Sequence, residues 1–282
     1  MVPAAALLCL LLAGGCRDQR DVFDGGDSWP AALGAPALSA RKVRQLDNDG
    51  FIVGYDRARR RAAWVVYRAA AVNDYQRMPR PQFAADPRLE HAPALSVYTG
   101  PAYDRGHLAP NYAMSQLYGA QAQRESFYYS NVVPQRPRLN QLLWQRLEEL
   151  EIDAIAPGVD PLWVMLGPIA ADNASVPAAF FRIWIARTRQ GGWVSLAFIV
   201  PQRVRGDERL SDFVVSIDAV ESATGLDFFS GLDRVTQQAL ETEPAPLTTF
   251  GFAQHACTPA RYAKRWQDRN GTRLRFGRCA TH

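Results

Sequence analysis

Lysine and cysteine are scarce in this 282-residue sequence, and long apolar runs are almost absent. Only Lys42 and Lys264 are lysines among 32 basic residues, so arginine carries nearly all of the positive charge. Arginine binds phosphate well, but codon usage in a GC-rich genome explains the same bias. A net charge of +4 therefore identifies no anionic partner by itself. With 48% hydrophobic residues the chain can bury a sizeable core, which excludes a disordered protein.

The one long apolar run lies at the start of the chain, where residues 4–13 read AAALLCLLLA and precede GGC. No later run approaches the roughly 18 apolar residues of a spanning helix, which excludes a multi-pass membrane protein. A short apolar core that ends in small residues is typical of an export signal, so residues 1–15 are predicted to be a signal peptide. The small residues before Cys16 are similar to a bacterial lipoprotein processing site. This similarity implies an exported protein of the cell envelope or periplasm, attached to a membrane by a lipid on Cys16.

Of the four cysteines, Cys9 and Cys16 belong to the signal region, which leaves Cys257 and Cys279 in the folded protein. Two cysteines near one end of an exported chain predict one disulfide, and two buried free thiols are the alternative. Neither cysteine belongs to a CxxC pair, so a zinc site is not expected.

Composition divides the mature chain into three parts. Residues 16–40 are rich in Asp, Gly, Ala and Pro without helix or strand periodicity, and they are predicted to be a flexible tether. Residues 41–240 are predicted to form the compact domain. The Pro- and Thr-rich stretch ETEPAPLTT then leads into a basic C-terminal extension, residues 241–282, which holds the predicted disulfide.

Strand patterns outnumber helical ones within the compact domain. The clearest helix is predicted over about residues 140–151, where leucines recur at helical spacing between polar residues. Because strands and helices do not alternate, an α+β domain with a mostly antiparallel sheet flanked by helices is predicted. The sequence has no internal repeat and no GxGxxG or Walker loop. The predicted strands cover residues 51–55, 63–67, 162–166, 181–185 and 193–200.

The sequence DRGH at residues 104–107 places an acid, a cation, a glycine and a titratable base side by side. The ordinary pKa of histidine, about 6.5, allows His107 to take a proton from water near neutral pH. The other three histidines of the chain are interpreted as structural.

Two asparagines and a glutamate follow at a spacing that suits a metal site. Asn131 comes 24 residues after His107, Asn140 comes nine residues later, and Glu148 a further eight. Asn140 would begin the predicted helix, with Glu148 two turns along it. Mg²⁺ accepts a neutral amide oxygen while water fills most other positions, and carboxylates can hold those waters. Taken singly, each asparagine is more typical of a helix cap or turn, so the metal interpretation depends on the set.

The sequence DRGHLAPN followed by SNVVPQRPRLNQLLWQRLE resembles the DNA/RNA non-specific endonuclease family, which has a ββα-metal (His-Me finger) site. The similarity extends over about residues 48–227 and covers neither terminus. The resemblance implies a ββα-metal fold and hydrolysis of DNA and RNA with Mg²⁺ or Mn²⁺. In that family pattern His107 would be the general base, Asn140 the single protein ligand of one Mg²⁺, and Glu148 would hold metal-bound water.

The resemblance also assigns roles around the metal. Arg105 would contact phosphate, Asp104 would orient the motif, and Asn131 would position His107 or the phosphate. Some family members carry a basic residue just beyond the acidic residue that corresponds to Glu148. Here Glu148 is followed by ELEI, so a further phosphate-binding arginine has to come from elsewhere. Three arginines are candidates by proximity in the sequence: Arg57, Arg136 and Arg138.

The sequence therefore predicts a metal-dependent phosphodiesterase that cleaves nucleic acids internally. The scissile group is the same in DNA and RNA, and the expected contacts are to the backbone, so little sequence or sugar selectivity is expected. Two alternatives remain open at this point. One is a catalytically silent nucleic-acid-binding lipoprotein with the same fold, and the other is a phosphodiesterase for small or envelope-linked substrates.

Overall fold

The computed structural model describes residues 31–38, 42–90, 102–159, 161–170, 175–268, 271 and 273. The predicted signal peptide, Cys16 and Cys279 lie outside this set. Cys257 is half-buried and forms no disulfide with another described residue, so its pairing with Cys279 stays a prediction. Across the described segments, no helix is long and apolar enough to cross a membrane.

Eleven strands form three sheets in the described part of the chain. They are β1 (Ala37–Leu38), β2 (Arg44–Asn48), β3 (Phe51–Asp56), β4 (Arg61–Ala69), β5 (Asp104–His107), β6 (Val132–Gln135), β7 (Leu162–Ala170), β8 (Pro177–Arg187), β9 (Trp193–Pro201), β10 (Val214–Val215) and β11 (Leu226–Asp227). A seven-stranded antiparallel sheet forms the centre of the protein, in the order β10-β9-β8-β7-β4-β3-β2. Two small two-stranded sheets accompany it, β1 with β11 and β5 with β6. All five predicted strands are confirmed, as β3, β4, β7, β8 and β9.

Helices flank the sheet, and the predicted helix over residues 140–151 is confirmed within a longer one. That helix has an α-helical centre, α3 (Gln145–Leu150), between π-helical segments Leu139–Trp144 and Glu151–Ile155. The other helices are α1 (Asn111–Ala113), which continues in a π-helical segment Met114–Tyr118, α2 (Gly119–Ser126), α4 (Ile217–Thr224) and α5 (Arg234–Glu241). Short 3-10 segments cover Ala31–Leu33, Tyr129–Asn131, Ala156–Gly158, Leu210–Phe213, Thr249–His255 and Ala263–Arg265, and Thr249–His255 is kinked at Phe250 and Gly251.

The sheet buries both faces because side chains alternate along each strand. On β4, Val65 and Tyr67 point into one core, while Trp64 and Val66 point into the other. The first core contains the apolar side of the helix Leu139–Ile155, and the second contains α4. The helix that carries Asn140 and Glu148 is thus fixed against one face of the sheet.

A buried polar group also joins the end of that helix to the sheet. Glu151 is fully buried and accepts hydrogen bonds from the Tyr67 hydroxyl and, at 2.5 Å, from the Trp184 indole. The Arg182 Nε lies 2.7 Å from the same carboxylate. A buried charge is tolerated only with such partners, so these contacts fix the depth and rotation of the helix on the sheet.

The packed unit extends beyond the boundaries predicted at 41 and 240. Leu33 is fully buried and β1 pairs with β11, so residues 31–38 are packed instead of belonging to a tether. At the other end, Phe252 and Ala256 lie in the same core as the helix Leu139–Ile155. The described part of the C-terminal extension is therefore packed against the domain, because its apolar residues complete that core.

Candidate active site

The DRGH sequence forms β5, which pairs with β6 in a short antiparallel ladder. Asp104 lies opposite Gln135, and His107 lies opposite Val132. Gly106 is required here, because a Cβ at this position would lie 2.0 Å from Oε1 of Gln135, which is fully buried. The ladder leads into the helix Leu139–Ile155, so the order is strand, strand, helix.

His107 lies in a pocket of aromatic rings and is only 8% exposed. The rings of Phe127 and Phe83 lie 4.5 Å and 5.2 Å from its imidazole, between ring centres. Its Nε2 has no hydrogen-bond partner in the described structure. Burial, together with the positive charge of Arg80, lowers the pKa of His107 to about 3. The imidazole is therefore neutral near pH 7 and has a free nitrogen.

Asn131 lies beneath His107 and holds the backbone that follows it. The side chain accepts from the Ala109 amide at 2.9 Å, and its Nδ2 donates to the carbonyl oxygens of Ala109 and Ser126 at 3.0 and 2.8 Å. Asn131 is fully buried. Of the two roles predicted for it, the geometry fits the positioning of His107 and gives no route to a phosphate.

The side chain of Asp104 is hydrogen-bonded to the first turn of the helix Leu139–Ile155. Its Oδ2 accepts from Asn140 Nδ2 at 3.0 Å and from Gln141 Nε2 at 2.7 Å. These bonds agree with an orienting role for Asp104, because they use the amide nitrogen of Asn140 and leave its amide oxygen for a cation. The donor chemistry of Asn140 therefore fits a hard divalent ion.

Glu148 lies two turns further along the helix, half-buried beside the same space. Burial raises the pKa of this carboxyl to about 8, against the opposing effect of the nearby Arg182. A cation in the cleft would favour the ionised form. Asn140 and Glu148 together thus provide an amide ligand and a carboxylate suited to hold metal-bound water.

These residues meet in one cleft of about 340 Å³. It brings together His107, Arg105, Asn140 and Glu148, as the sequence predicted. Asp104 lies in an adjoining groove with Arg105 and Asn140. The fully buried Asn131 supports the cleft from below, through the segment that follows β5.

Two arginines of the cleft were not predicted from the sequence. Arg80 lies in an extended loop, 5.2 Å above the Phe127 ring, and lines the cleft beside Arg105. The loop is held there because Ala84 exchanges backbone hydrogen bonds with Phe127 and Tyr129. Arg261, from the C-terminal segment, lines the opposite end. No local pattern in the sequence marks either residue, since each reaches the cleft only through long-range packing.

The three arginines named as candidates lie elsewhere. Arg57 is in the turn between β3 and β4 and does not line the cleft. Arg136 and Arg138 line a separate groove next to Asp104, where Arg138 pairs with Asp268 at 3.4 Å. The cleft itself therefore has Arg80 and Arg105 as the arginines nearest to His107.

A second group of acids lies away from the cleft. Asp218 and Glu221 on α4 and Glu241 at the end of α5 have carboxylate oxygens within 4.8 Å of one another. Exposed acidic groups of this kind are common without a metal. The charged groups that act on the pKa values of Glu221 and Glu241 are other carboxyl groups.

Comparison with known proteins agrees with this geometry. The model of the DNA/RNA non-specific endonuclease family matches residues 32–235. Mouse mitochondrial nuclease EXOG is 30% identical over 224 residues, which cover 70% of this chain and 59% of the mouse protein. Human endonuclease G is 29% identical over 222 residues (70% and 72% of the two chains), and a Serratia marcescens nuclease is 26% identical over 259 residues (86% and 94%). This chain thus spans less than two thirds of the length of mouse EXOG.

The fold has also been seen in a solved structure. A crystal structure of the EndoG/EndoGI complex superimposes with a TM-score of 0.62 at 23% identity, and the match covers 71% of this chain and 90% of that one. The α+β, ββα-metal fold predicted from the sequence is confirmed by this likeness and by the antiparallel sheet with its flanking helices. With a family model that matches well over half of its residues, the protein belongs to the DNA/RNA non-specific endonuclease family.

Proposed function

We propose that this protein is a metal-dependent endonuclease that hydrolyses phosphodiester bonds of both DNA and RNA with little sequence or sugar selectivity. One observation carries the proposal. A single cleft contains a neutral histidine, an amide oxygen available to a cation, a carboxyl group and three arginines. The names of the relatives, nuclease EXOG and endonuclease G, support the same reaction.

His107 would act as the general base. Its imidazole lines the cleft and burial keeps it neutral, so it could accept a proton from an attacking water. A pKa near 3 alone would make it a weak base. A phosphate bound in the cleft favours the imidazolium form, which would raise the pKa of His107 when substrate is present.

Asn140 and Glu148 would hold the metal ion, which we propose to be Mg²⁺ and to be replaceable by Mn²⁺. Asn140 offers its amide oxygen because Asp104 binds its amide nitrogen. Glu148, once ionised, accepts hydrogen bonds from water molecules around the ion. When bound, the ion supplies positive charge that stabilises the negative charge developing on the leaving oxygen.

Arg80 and Arg105 would bind the non-bridging phosphate oxygens. Each guanidinium lies over an aromatic ring, Arg80 over Phe127 at 5.2 Å and Arg105 over Phe83 at 5.3 Å. Because the rings restrict their movement, the two charges are held ready beside the histidine. Contacts of this kind are to the backbone, which both nucleic acids share, so little selectivity follows.

Purified protein incubated with supercoiled plasmid and with structured RNA tests the proposal. We expect nicking of plasmid and cleavage of RNA with Mg²⁺ or Mn²⁺, and loss of both activities with a chelator. Binding without cleavage under all metal conditions would identify a silent nucleic-acid-binding protein instead. Turnover of dinucleotides with no cleavage of plasmid would identify a phosphodiesterase for small substrates.

A further inference from the structure

The C-terminal segment contributes one residue that is connected to the proposed metal ligand by hydrogen bonds. Trp266 Nε1 donates to Gln141 Oε1 at 3.0 Å. Gln141 Nε2 donates to Asp104 Oδ2 at 2.7 Å, and the same oxygen accepts from Asn140 Nδ2 at 3.0 Å. Trp266, Gln141, Asp104 and Asn140 thus form one continuous hydrogen-bond chain.

The direction of each bond in this chain is set by chemistry. An indole can only donate, so the oxygen of the Gln141 amide must face Trp266. The nitrogen of that amide then faces Asp104, whose ionised carboxylate can only accept. Asp104 in turn takes the nitrogen of the Asn140 amide, which leaves the amide oxygen for a cation. Every donor and acceptor along the chain is therefore correctly paired.

Gln141 depends on Trp266 for its order. Its side chain is exposed, and a long exposed glutamine has many rotamers of similar energy. Two hydrogen bonds, one accepted from Trp266 and one donated to Asp104, select a single rotamer. Without the indole donor, Gln141 would keep only its bond to Asp104, and Asp104 would lose a rigidly held partner.

Trp266 is itself fixed by packing. It is 9% exposed and packs with Leu142, Ala260 and Ala263. Upstream, Arg146 is buried and donates to the carbonyl oxygens of Thr258 at 2.7 Å and of Ala256 at 2.8 Å. The helix that carries Asn140 therefore also holds the segment that ends at Trp266.

We infer that Trp266 is a positioning residue for the metal site, acting through Gln141 and Asp104 on the amide of Asn140. This inference rests on the proposed function in one respect, namely that Asn140 binds the metal ion. The described C-terminal segment would thus be part of the metal site, although the family model matches only residues 32–235.

Trp266→Phe tests the inference because it keeps a ring for packing and removes the donor. The readouts are Mn²⁺ binding without substrate, measured by electron paramagnetic resonance, and the Mg²⁺ dependence of plasmid nicking. Loss of a group that supports a metal ligand typically weakens metal affinity about 10- to 100-fold. Trp266 is separated from Asn140 by Gln141 and Asp104 in the hydrogen-bond chain. We therefore expect a smaller loss of Mn²⁺ affinity, roughly three- to tenfold, with the rate at saturating Mg²⁺ unchanged.

Trp163→Phe is the matched control, because the Trp163 indole has no hydrogen-bond partner in the described structure. This control should bind Mn²⁺ like the wild type. Gln141→Met removes the middle of the hydrogen-bond chain at an exposed site, where folding is not at risk, and should weaken Mn²⁺ binding at least as much. The double variant should show no further loss beyond Gln141→Met.

Three results would overturn the inference. The first is equal Mn²⁺ affinity in wild type and Trp266→Phe. The second is a lower rate at saturating Mg²⁺ with unchanged Mn²⁺ binding, which would indicate a structural role only. The third is no Mn²⁺ binding by the wild type, which would also remove the metal from the proposed function. Wild-type Mn²⁺ binding without nuclease activity would refute the proposed function alone and leave the role of Trp266 to the variants.

Discussion

His107 and Asn140 lie in the same cleft but depend on different neighbours. The chemistry of His107 comes from burial between Phe83 and Phe127, which keeps the imidazole neutral. The chemistry of Asn140 comes from one hydrogen bond to Asp104, which occupies the amide nitrogen and leaves the amide oxygen for the proposed cation. Substitution of the two residues should therefore cause different defects.

His107→Ala removes the proposed proton acceptor and none of the proposed metal contacts. Nuclease activity should fall by roughly 10²- to 10⁴-fold, as is typical for loss of a general base, with Mg²⁺ dependence unchanged. Asn140→Ala should instead require more Mg²⁺ and be partly restored by excess metal. Rates measured against Mg²⁺ concentration for the three proteins distinguish these defects. Near wild-type turnover of His107→Ala would show that another residue is the base.

The buried histidine should also make stability depend on pH. The folded pKa of His107 is lowered to about 3, whereas the unfolded chain binds a proton near pH 6.5. The unfolded state therefore gains protons first as the pH falls below about 6.5, and stability declines by about 1.4 kcal/mol per pH unit. Above that pH, His107 does not affect the pH dependence.

His107→Asn removes this titration and provides the comparison. From pH 7 to pH 5, wild type should lose about 2 kcal/mol more free energy of unfolding than the variant. Urea unfolding at the two pH values measures the difference, and all other titrating groups cancel between the proteins. Equal losses in the two proteins would show that the pKa of His107 is not lowered in the folded state.

At the scale of elements, the β5–β6 ladder determines where His107 lies. The close approach of the two strands is possible because Gly106 has no side chain against the buried Gln135. The glycine of the DRGH sequence is thus required by packing between strands. Its φ is not in the left-handed region, so conformational freedom is not the reason.

Gly106→Ala should destabilise the protein by about 1 to 3 kcal/mol, the usual cost of overpacking. Gly158→Ala is the matched control, because a Cβ there would meet no atom within 4 Å. The double variant Gly106→Ala/Gln135→Ala should recover part of the loss, since it removes the clashing side chain. Thermal unfolding of the four proteins measures this. A stable Gly106→Ala protein would mean that the strands can separate without cost.

At the scale of the whole molecule, the C-terminal segment packs against the domain and is hydrogen-bonded to one buried arginine. Arg146 on α3 is 2% exposed and donates to the carbonyl oxygens of Thr258, Ala256 and Glu208. Buried carbonyl groups that lose their donors are costly, so this side chain should hold the segment in place.

Arg146→Met should lower the free energy of unfolding by about 3 kcal/mol or more, because a buried side chain loses three hydrogen bonds to backbone carbonyl oxygens. The loosened segment 259–268 should also be cut more readily by trypsin at its basic residues, which are already exposed. Arg234→Met, at an exposed position of α5, should change stability by less than about 0.5 kcal/mol. Urea unfolding and limited proteolysis test both variants. Unchanged resistance to trypsin would show that the segment is held by its apolar contacts alone.

Membrane attachment also belongs to the whole molecule, and it concerns Cys16, outside the described residues. We propose that the exported protein is held at the cell envelope by a lipid on this cysteine. In a bacterial host, Cys16→Ser should move the protein from the membrane fraction to the soluble fraction, as measured by immunoblotting. An unchanged distribution would contradict lipid attachment at this residue.

The sequence alone predicted five of the eleven described strands, the long helix and four side chains of the cleft. Strand alternation and helical leucine spacing are local patterns, so they could be predicted without tertiary information. The residues of the ββα unit, from Asp104 to Glu148, are also close in sequence and carry a recognisable spacing. Their chemistry follows from residue type, since an amide oxygen suits Mg²⁺ and an imidazole suits proton transfer.

Tertiary structure alone decided which other residues reach the cleft and what charge the groups carry. Arg80 and Arg261 reach the cleft, and Trp266 reaches Gln141 beside it, through packing between segments far apart in sequence, which no local pattern encodes. The low pKa of His107 arises from burial, which depends on every element around the residue. The C-terminal segment was predicted as a separate extension because its composition is polar and basic. It packs into the domain because a few of its apolar residues enter the core and its carbonyl oxygens accept hydrogen bonds from Arg146. These contacts join residues far apart in sequence, so no local pattern predicts them.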